Sequence, residues 1–188
     1  MIWPFNHFRK PRLVPRGTIE AIYGMIVTQA RDPLFYRDLG VPDTVDGRFD
    51  LLLLHLWLLL RRLRSADSGR ALSQALFDHF CSDMDANLRE MGVGDLAVPK
   101  RMQALGEAFY GRTAAYDFAV EDLAVEDGDE ALASAISRNI LNGEQVEQAR
   151  RLAVYARTAG ERLAQTEDAA LLSASWKFPS PIGEDAQR

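Results

Sequence analysis

The sequence predicts an all-α fold: a single compact domain of six or seven helices in an orthogonal or bundle-like array. Three observations predict it. Apolar residues recur at helical spacing through most of the chain, and no segment sustains the period-two alternation of a half-buried strand. Gly, Pro and Asn clusters then cut the helical stretches into lengths common in globular proteins. At 188 residues, 47% hydrophobic and 26% charged, the composition is that of one domain with its own core. No repeat of fixed period divides the chain.

Residues 1–17 read as a flexible, basic and aromatic N-terminal tail. Prolines at 4, 11 and 15 forbid a continuous helix, and the segment carries four basic residues and no acid. Trp3, Phe5 and Phe8 beside Arg9, Lys10 and Arg12 suit a lipid headgroup layer, rings inward and cations toward phosphate. The competing reading is a frayed tail whose aromatics pack on the domain. These prolines also break the amphipathic helix that a mitochondrial presequence needs, and no secretory signal is visible.

The helical domain is expected over 18–175. Ile19, Ile22, Tyr23, Ile26, Val27 and Ala30 form the first stripe, with Thr18 a fitting N-cap. Asp32–Pro33 ends that helix, and Leu34–Asp46, carrying Gly40 and Pro42, reads as an irregular piece. The second helix holds Phe49–Leu60, where ten of twelve residues are apolar. It is too short to span a membrane, which takes about 20 apolar residues, and it stops at Arg61, Arg62 and Arg64. A core helix buried on most sides is the expectation.

Leu72, Leu76, Phe80, Met84, Leu88 and Met91 make the third stripe, stopped by Gly92 and Gly94. Pro99 suits the first turn of the fourth helix, whose stripe is Met102, Leu105, Phe109, Tyr116, Val120 and Leu123. A turn at 127–129 precedes a short helix with Leu132, Ala135, Ile136 and Ile140, and Asn142–Gly143 breaks it. The next helix, about Glu144–Ala164, presents Ala149, Ala153, Ala156 and Gly160, small residues that predict close helix approach. A last short helix covers Glu167–Ala174, and residues 176–188, with Pro179 and Pro181, read as a C-terminal tail.

Net charge and residue types narrow the function. The chain carries −5 overall, but residues 1–64 carry +4 and the remainder −9. An acidic whole argues against DNA binding, whereas the basic front leaves an anionic membrane surface or ribosomal RNA open. The single cysteine, Cys81, cannot close an internal disulfide, which fits a reducing compartment. None of the three histidines has the Glu-x-x-His or His-Glu-x-x-His spacing of helical metal enzymes, and no Gly-x-Ser-x-Gly elbow is present. His79 and Asp83 lie one helical turn apart as a local pair, but Cys81 points elsewhere on the helix. His55, inside the leucine run, is expected to be buried or at the boundary and bonded to a neighbour. The acidic run Asp117–Glu130 reads as a solvated helix end and turn, or as a docking edge for a basic partner. No catalytic residue, metal or cofactor is expected.

Several runs together resemble the ubiquinol–cytochrome c chaperone family. They are Tyr23–Arg31, Phe35–Thr44, Gly47–Asp50, Ser73–Asp78, Asp83–Asp85, Leu88–Asp95, Lys100, Gly106–Arg112 and Tyr116, spread over residues 20–140. The resemblance implies an all-α, non-enzymatic assembly factor for respiratory complex III that binds newly made cytochrome b or early assembly intermediates. It also implies contact with the ribosome or insertion machinery and a small partner protein in mitochondrial relatives. For this chain we expect a bacterial form in the cytoplasm, peripheral at the inner face of the cytoplasmic membrane. A soluble holder of apolar spans needs an apolar groove with a polar rim. Phe35, Tyr36, Arg37, Asp43 and Arg48 are expected to offer exposed aromatics beside charges, extended by Phe109, Tyr110 and Arg112. The competing reading has Phe35, Tyr36 and Phe109 closing the core. A helical lipid- or isoprenoid-binding protein or enzyme, and a structural oligomer module, are the alternatives from other classes.

Overall fold

The computed structural model describes residues 14–66, 69–121 and 128–182. The tail residues Trp3, Phe5, Phe8, Arg9, Lys10 and Arg12 lie outside them. Six long helices and two five-residue helices follow one another: α1 (Arg16–Ala30), α2 (Pro33–Arg37), α3 (Val45–Leu63), α4 (Gly69–Glu90), α5 (Val98–Glu121), α6 (Gly128–Ile140), α7 (Val146–Gln165) and α8 (Asp168–Leu172). The described residues contain no strand.

The array is built around α3. Every residue from Asp50 to Leu59 is buried, and the helix touches α1, α4, α5, α6 and α7. A helix apolar on all sides is stable in water only when neighbours cover each side. Its start is fixed by Thr44, whose side chain accepts a hydrogen bond from the Gly47 amide at 3.1 Å. Gly47 is there for space: a Cβ on it would lie 2.1 Å from the Pro42 carbonyl oxygen. At the other end Arg62 closes the last turn of α7. Its guanidinium donates to the carbonyls of Leu163 and Thr166 and pairs with Asp168 at 2.7 Å.

The stripes bury as their periodicity demands. Ile22, Tyr23, Ile26 and Ala30 of α1 and Leu72, Leu76 and Phe80 of α4 meet α3 in one core. On α7, Ala149, Ala153, Ala156 and Ala159 are buried, and Leu58 comes within 3.7 Å of where a Gly160 Cβ would stand. The break after α6 uses Asn142 and Gly143, both at positive φ, the residues that enter this region most readily.

Three details depart from the sequence reading. Helix α1 starts two residues before Thr18: Pro15 already accepts from the Thr18 and Ile19 amides, so the threonine sits inside the first turn rather than capping it. Within the stretch read as irregular, Asp32 caps a helical turn by accepting from the Leu34 amide at 2.9 Å, and Pro33 occupies its first position. Leu39 and Val41 then plug the core. Past residue 175 the chain stays packed, with Trp176 and Phe178 buried and the Pro179 carbonyl accepting from Gln29 at 3.1 Å.

Candidate functional site

Where α4 ends and α5 begins, the apolar stripes outrun the core. Leu88 is buried, but Met84 and Leu105 are only half-covered, and Met91 is 60% exposed. The C-terminal end of α1, the first turns of α3 and the C-terminal end of α6 face the same space. Together they enclose a groove of about 820 Å³. Its apolar lining includes Val27, Val45, Phe49, Leu52, Met84, Leu88, Met91 and Leu105. Val45 is 70% exposed, so both lips of the groove present apolar side chains to solvent. Leu96, on the turn after α4, is exposed as well. Methionine suits such a surface, because its unbranched, polarizable chain adapts to different occupants.

The rim is charged. Arg31, Asp46, Arg48, Glu90, Arg101 and Arg138 stand around the apolar strip. Arg48 pairs with Asp43 at 2.7 Å, while Arg31 and Arg101 make no ion pair among the described residues. One end opens into a smaller basin of Arg31, Pro33, Tyr36, Arg37, Asp43 and Arg48. At the floor lies a buried charge pair. Arg112 Nη2 of α5 is 2.7 Å from Asp50 Oδ1 of α3, and both residues line the groove. The carboxylate is thus partnered through Nη2, while Arg112 Nε has no hydrogen-bond partner among the described residues. Burial pushes the Asp50 carboxyl up to about 6, against the opposing pull of Arg112.

The residues expected from sequence to form one exposed patch are divided among four environments. Phe35 is fully buried, its ring edge-on to Tyr155 at 4.9 Å and to His55 at 5.3 Å. Its exposure is therefore corrected: at the third position of α2 it turns inward and caps the centre of the molecule. Phe109 is likewise core, against Phe77 and Phe80. Tyr36 is half-buried and donates to the Ala30 carbonyl at 2.6 Å, tying α2 to α1, and burial raises its phenol. Arg37 pairs with Asp38, and Asp43 with Arg48, at the surface of the basin. Tyr110 is 63% exposed but outside the groove lining, and Arg112 reaches the groove floor. An α-helix turns about 100° per residue, so 109, 110 and 112 cannot share a face.

Two other sequence candidates have structural duties. Asp83 accepts a 2.8 Å hydrogen bond from Tyr23, whose ring is edge-on to His79 at 4.8 Å. Thus Tyr23, rather than a shared proton or metal, joins the two. His55 is completely buried. Nδ1–H donates to the Leu51 carbonyl at 2.7 Å, which leaves Nε2 to accept from the Tyr155 hydroxyl at 2.7 Å. Burial holds its pKa down to about 4, so it is neutral.

The groove residues missed from sequence are Val27, Val45, Phe49, Met84, Leu88, Met91, Leu105 and the rim arginines Arg101 and Arg138. The available sign was stripe length. The third and fourth stripes continue through Met84–Met91 and Met102–Leu105 beyond the reach of the leucine-rich second helix.

Comparison with known proteins places this architecture. The family described as ubiquinol–cytochrome C chaperone matches residues 37–178. Ubiquinol-cytochrome-c reductase complex assembly factor 1 of Xenopus laevis is 27% identical over 119 residues, 63% of this chain and 56% of that protein. Protein CBP3, mitochondrial, of Saccharomyces cerevisiae is 33% identical over 115 residues, 59% of this chain and 33% of that protein. The chain therefore spans little more than half of the one and a third of the other. The crystal structure of the Cbp3 homolog from Brucella abortus superimposes with a TM-score of 0.78 at 36% identity, covering 88% of this chain and 90% of that one. The family match reaches from the last residue of α2 through Phe178, and so takes in every helix that builds the groove except α1; the chain belongs to the ubiquinol–cytochrome c chaperone family.

Proposed function

We propose that this chain is an assembly factor for ubiquinol–cytochrome c reductase that holds an apolar segment of newly made cytochrome b, or of an early intermediate, in the groove between α1, α3, α4, α5 and α6. The observation that carries the reading is the groove itself: it combines apolar side chains, two methionines among them, with charged and polar ones, and exposed Val45 and Met91 stand at its lips. Such a surface matches one face of an amphipathic or membrane-derived helix. Its work is binding, with no reaction catalysed. Release follows when later subunits cover the client's apolar surface better than the groove does. No described helix is long and apolar enough to cross a membrane, which fits peripheral action at the inner face of the cytoplasmic membrane. Arg48 and the basin of Tyr36, Arg37 and Asp43 are the polar contacts we assign to the client's exit from the apolar strip. The ribosome or insertion machinery would deliver the client from that side.

The test is complementation. In a host lacking the gene, the wild-type chain should restore membrane cytochrome b and ubiquinol–cytochrome c reductase activity. Val45→Glu with Met91→Glu should leave a folded protein, because both side chains are exposed, yet fail to restore either. Full restoration by the double variant would remove the groove from the function.

A further inference from the structure

One lip of the groove runs on into a tip, the turn of residues 92–97 between α4 and α5. Glu90 and Met91 before it and Arg101 after it line the groove, so the tip continues the groove's edge. Buried Leu88 and Val98 anchor its two ends. Gly92, at positive φ, lets the Val93 amide turn back to the Leu88 carbonyl at 3.0 Å, and the Ala97 amide donates to the Gly94 carbonyl at 2.8 Å. Arg89 ties the turn to its helix by pairing with both Asp85 and Asp95. The turn is therefore held in one shape, yet Leu96 is 99% exposed and no described residue covers it. A lone exposed leucine is ordinary. This one adjoins Met91, 60% exposed, and so extends the apolar lip of the groove.

Charge decides what the tip meets. From Met91 to Arg101 the sequence holds one acid, Asp95, against Lys100 and Arg101, and Arg89 already neutralises that acid. Lys100 and Arg101 are exposed and make no ion pair among the described residues. They stand in the first turn of α5, which carries no acid, at the helix end where cations are least favoured and an anion is welcome. The tip is thus cationic on a chain of net charge −5. A second copy meeting it about a two-fold axis would set these cations against themselves. An anionic bilayer takes both parts, the leucine below the headgroups and the cations at the phosphates. We propose that the α4–α5 tip is a membrane-docking element, with Leu96 entering the headgroup–acyl boundary and Lys100 and Arg101 binding anionic phospholipid headgroups. This rests on the groove as the client site proposed above, because docking by the tip brings the groove's mouth to the surface where an apolar span emerges. So small an anchor gives weak, reversible attachment, which suits a factor that leaves once its client is assembled.

The experiment is flotation of the full chain with vesicles of one part phosphatidylglycerol to two parts phosphatidylcholine. The wild-type chain should float with them, and should float little with phosphatidylcholine alone or in high salt. Leu96→Glu should weaken partitioning about tenfold, as should Lys100→Gln with Arg101→Gln, since each cation near an anionic surface is worth about fivefold. Phe118→Glu, at an exposed aromatic outside the groove, should float like the wild type. Flotation that Leu96→Glu leaves unchanged overturns the inference and assigns attachment to another part of the chain. A wild-type chain that stays in the buffer overturns it as well. Dimers in light scattering that Leu96→Glu dissolves overturn it in favour of a second copy. The vesicles hold no client, so each of these failures leaves the groove reading standing; that reading falls with full restoration by Val45→Glu, Met91→Glu.

Discussion

Two buried titratable residues set the chemistry of this molecule at the residue scale, and they pull in opposite directions. His55 is held neutral between Leu51 and Tyr155, its pKa down to about 4 from an ordinary value near 6.5. Between those values the unfolded chain binds the extra proton, so His55 removes stability as pH falls from about 6.5 to 4. Asp50 is raised to about 6 from near 3.8, so there the folded chain binds the proton; its contribution is present at low pH and is lost as pH rises through about 6. Urea midpoints measured against pH should separate them. The His55→Gln curve should gain on the wild type as pH falls from 6.5 to 4, and the Asp50→Asn curve should lose on it. Parallel curves would show that neither group is buried as described. That His55 would be buried and bonded was legible in its place within the leucine run. Its partner was not, because Tyr155 lies a hundred residues away and only the folded packing of α3 on α7 brings it near.

At the scale of the element, α3 carries the fold and its start is the delicate part. Thr44→Ala removes the side-chain acceptor for the Gly47 amide and should cost about 1 kcal/mol. Gly47→Ala should cost more, because its Cβ would press on the Pro42 backbone at 2.1 Å, which no side-chain rotation relieves. Leu54→Ala, at a fully buried position, should cost about 2–5 kcal/mol, whereas Leu96→Ala on the exposed turn should stay within about 0.5 kcal/mol. Denaturant unfolding of the four variants checks this order. The long helices were legible because each buries a stripe that repeats over three or more turns. Helix α2 was not, since five residues are too few to show a period, although Asp32–Pro33 held its cap and first turn in view. The groove was half legible. Stripes on α4 and α5 gave the residues, but which ends of them the core leaves uncovered depends on how the helices diverge. The aromatics at 35–36 and 109–110 stayed open between an exposed patch and the core for the same reason: composition marks sticky residues without saying which way each one faces.

At the scale of the whole molecule, the five other long helices close around α3 on most sides and leave an apolar-lined furrow open, with α1, α3, α4, α5 and α6 all contributing. A furrow built from five elements responds to its occupant through the core itself, so client binding should raise the unfolding midpoint of the chain. Site-specific photo-crosslinking in cells making cytochrome b would show whether the client lies in this furrow. A photoreactive residue would be placed at position 91 on the groove lip, at position 45 on the facing lip, or at position 154 on the exposed surface of α7. Adducts to newly made cytochrome b are expected from 91 and 45 and none from 154. Adducts from 154 with none from 91 or 45 would contradict it and move the client to another face.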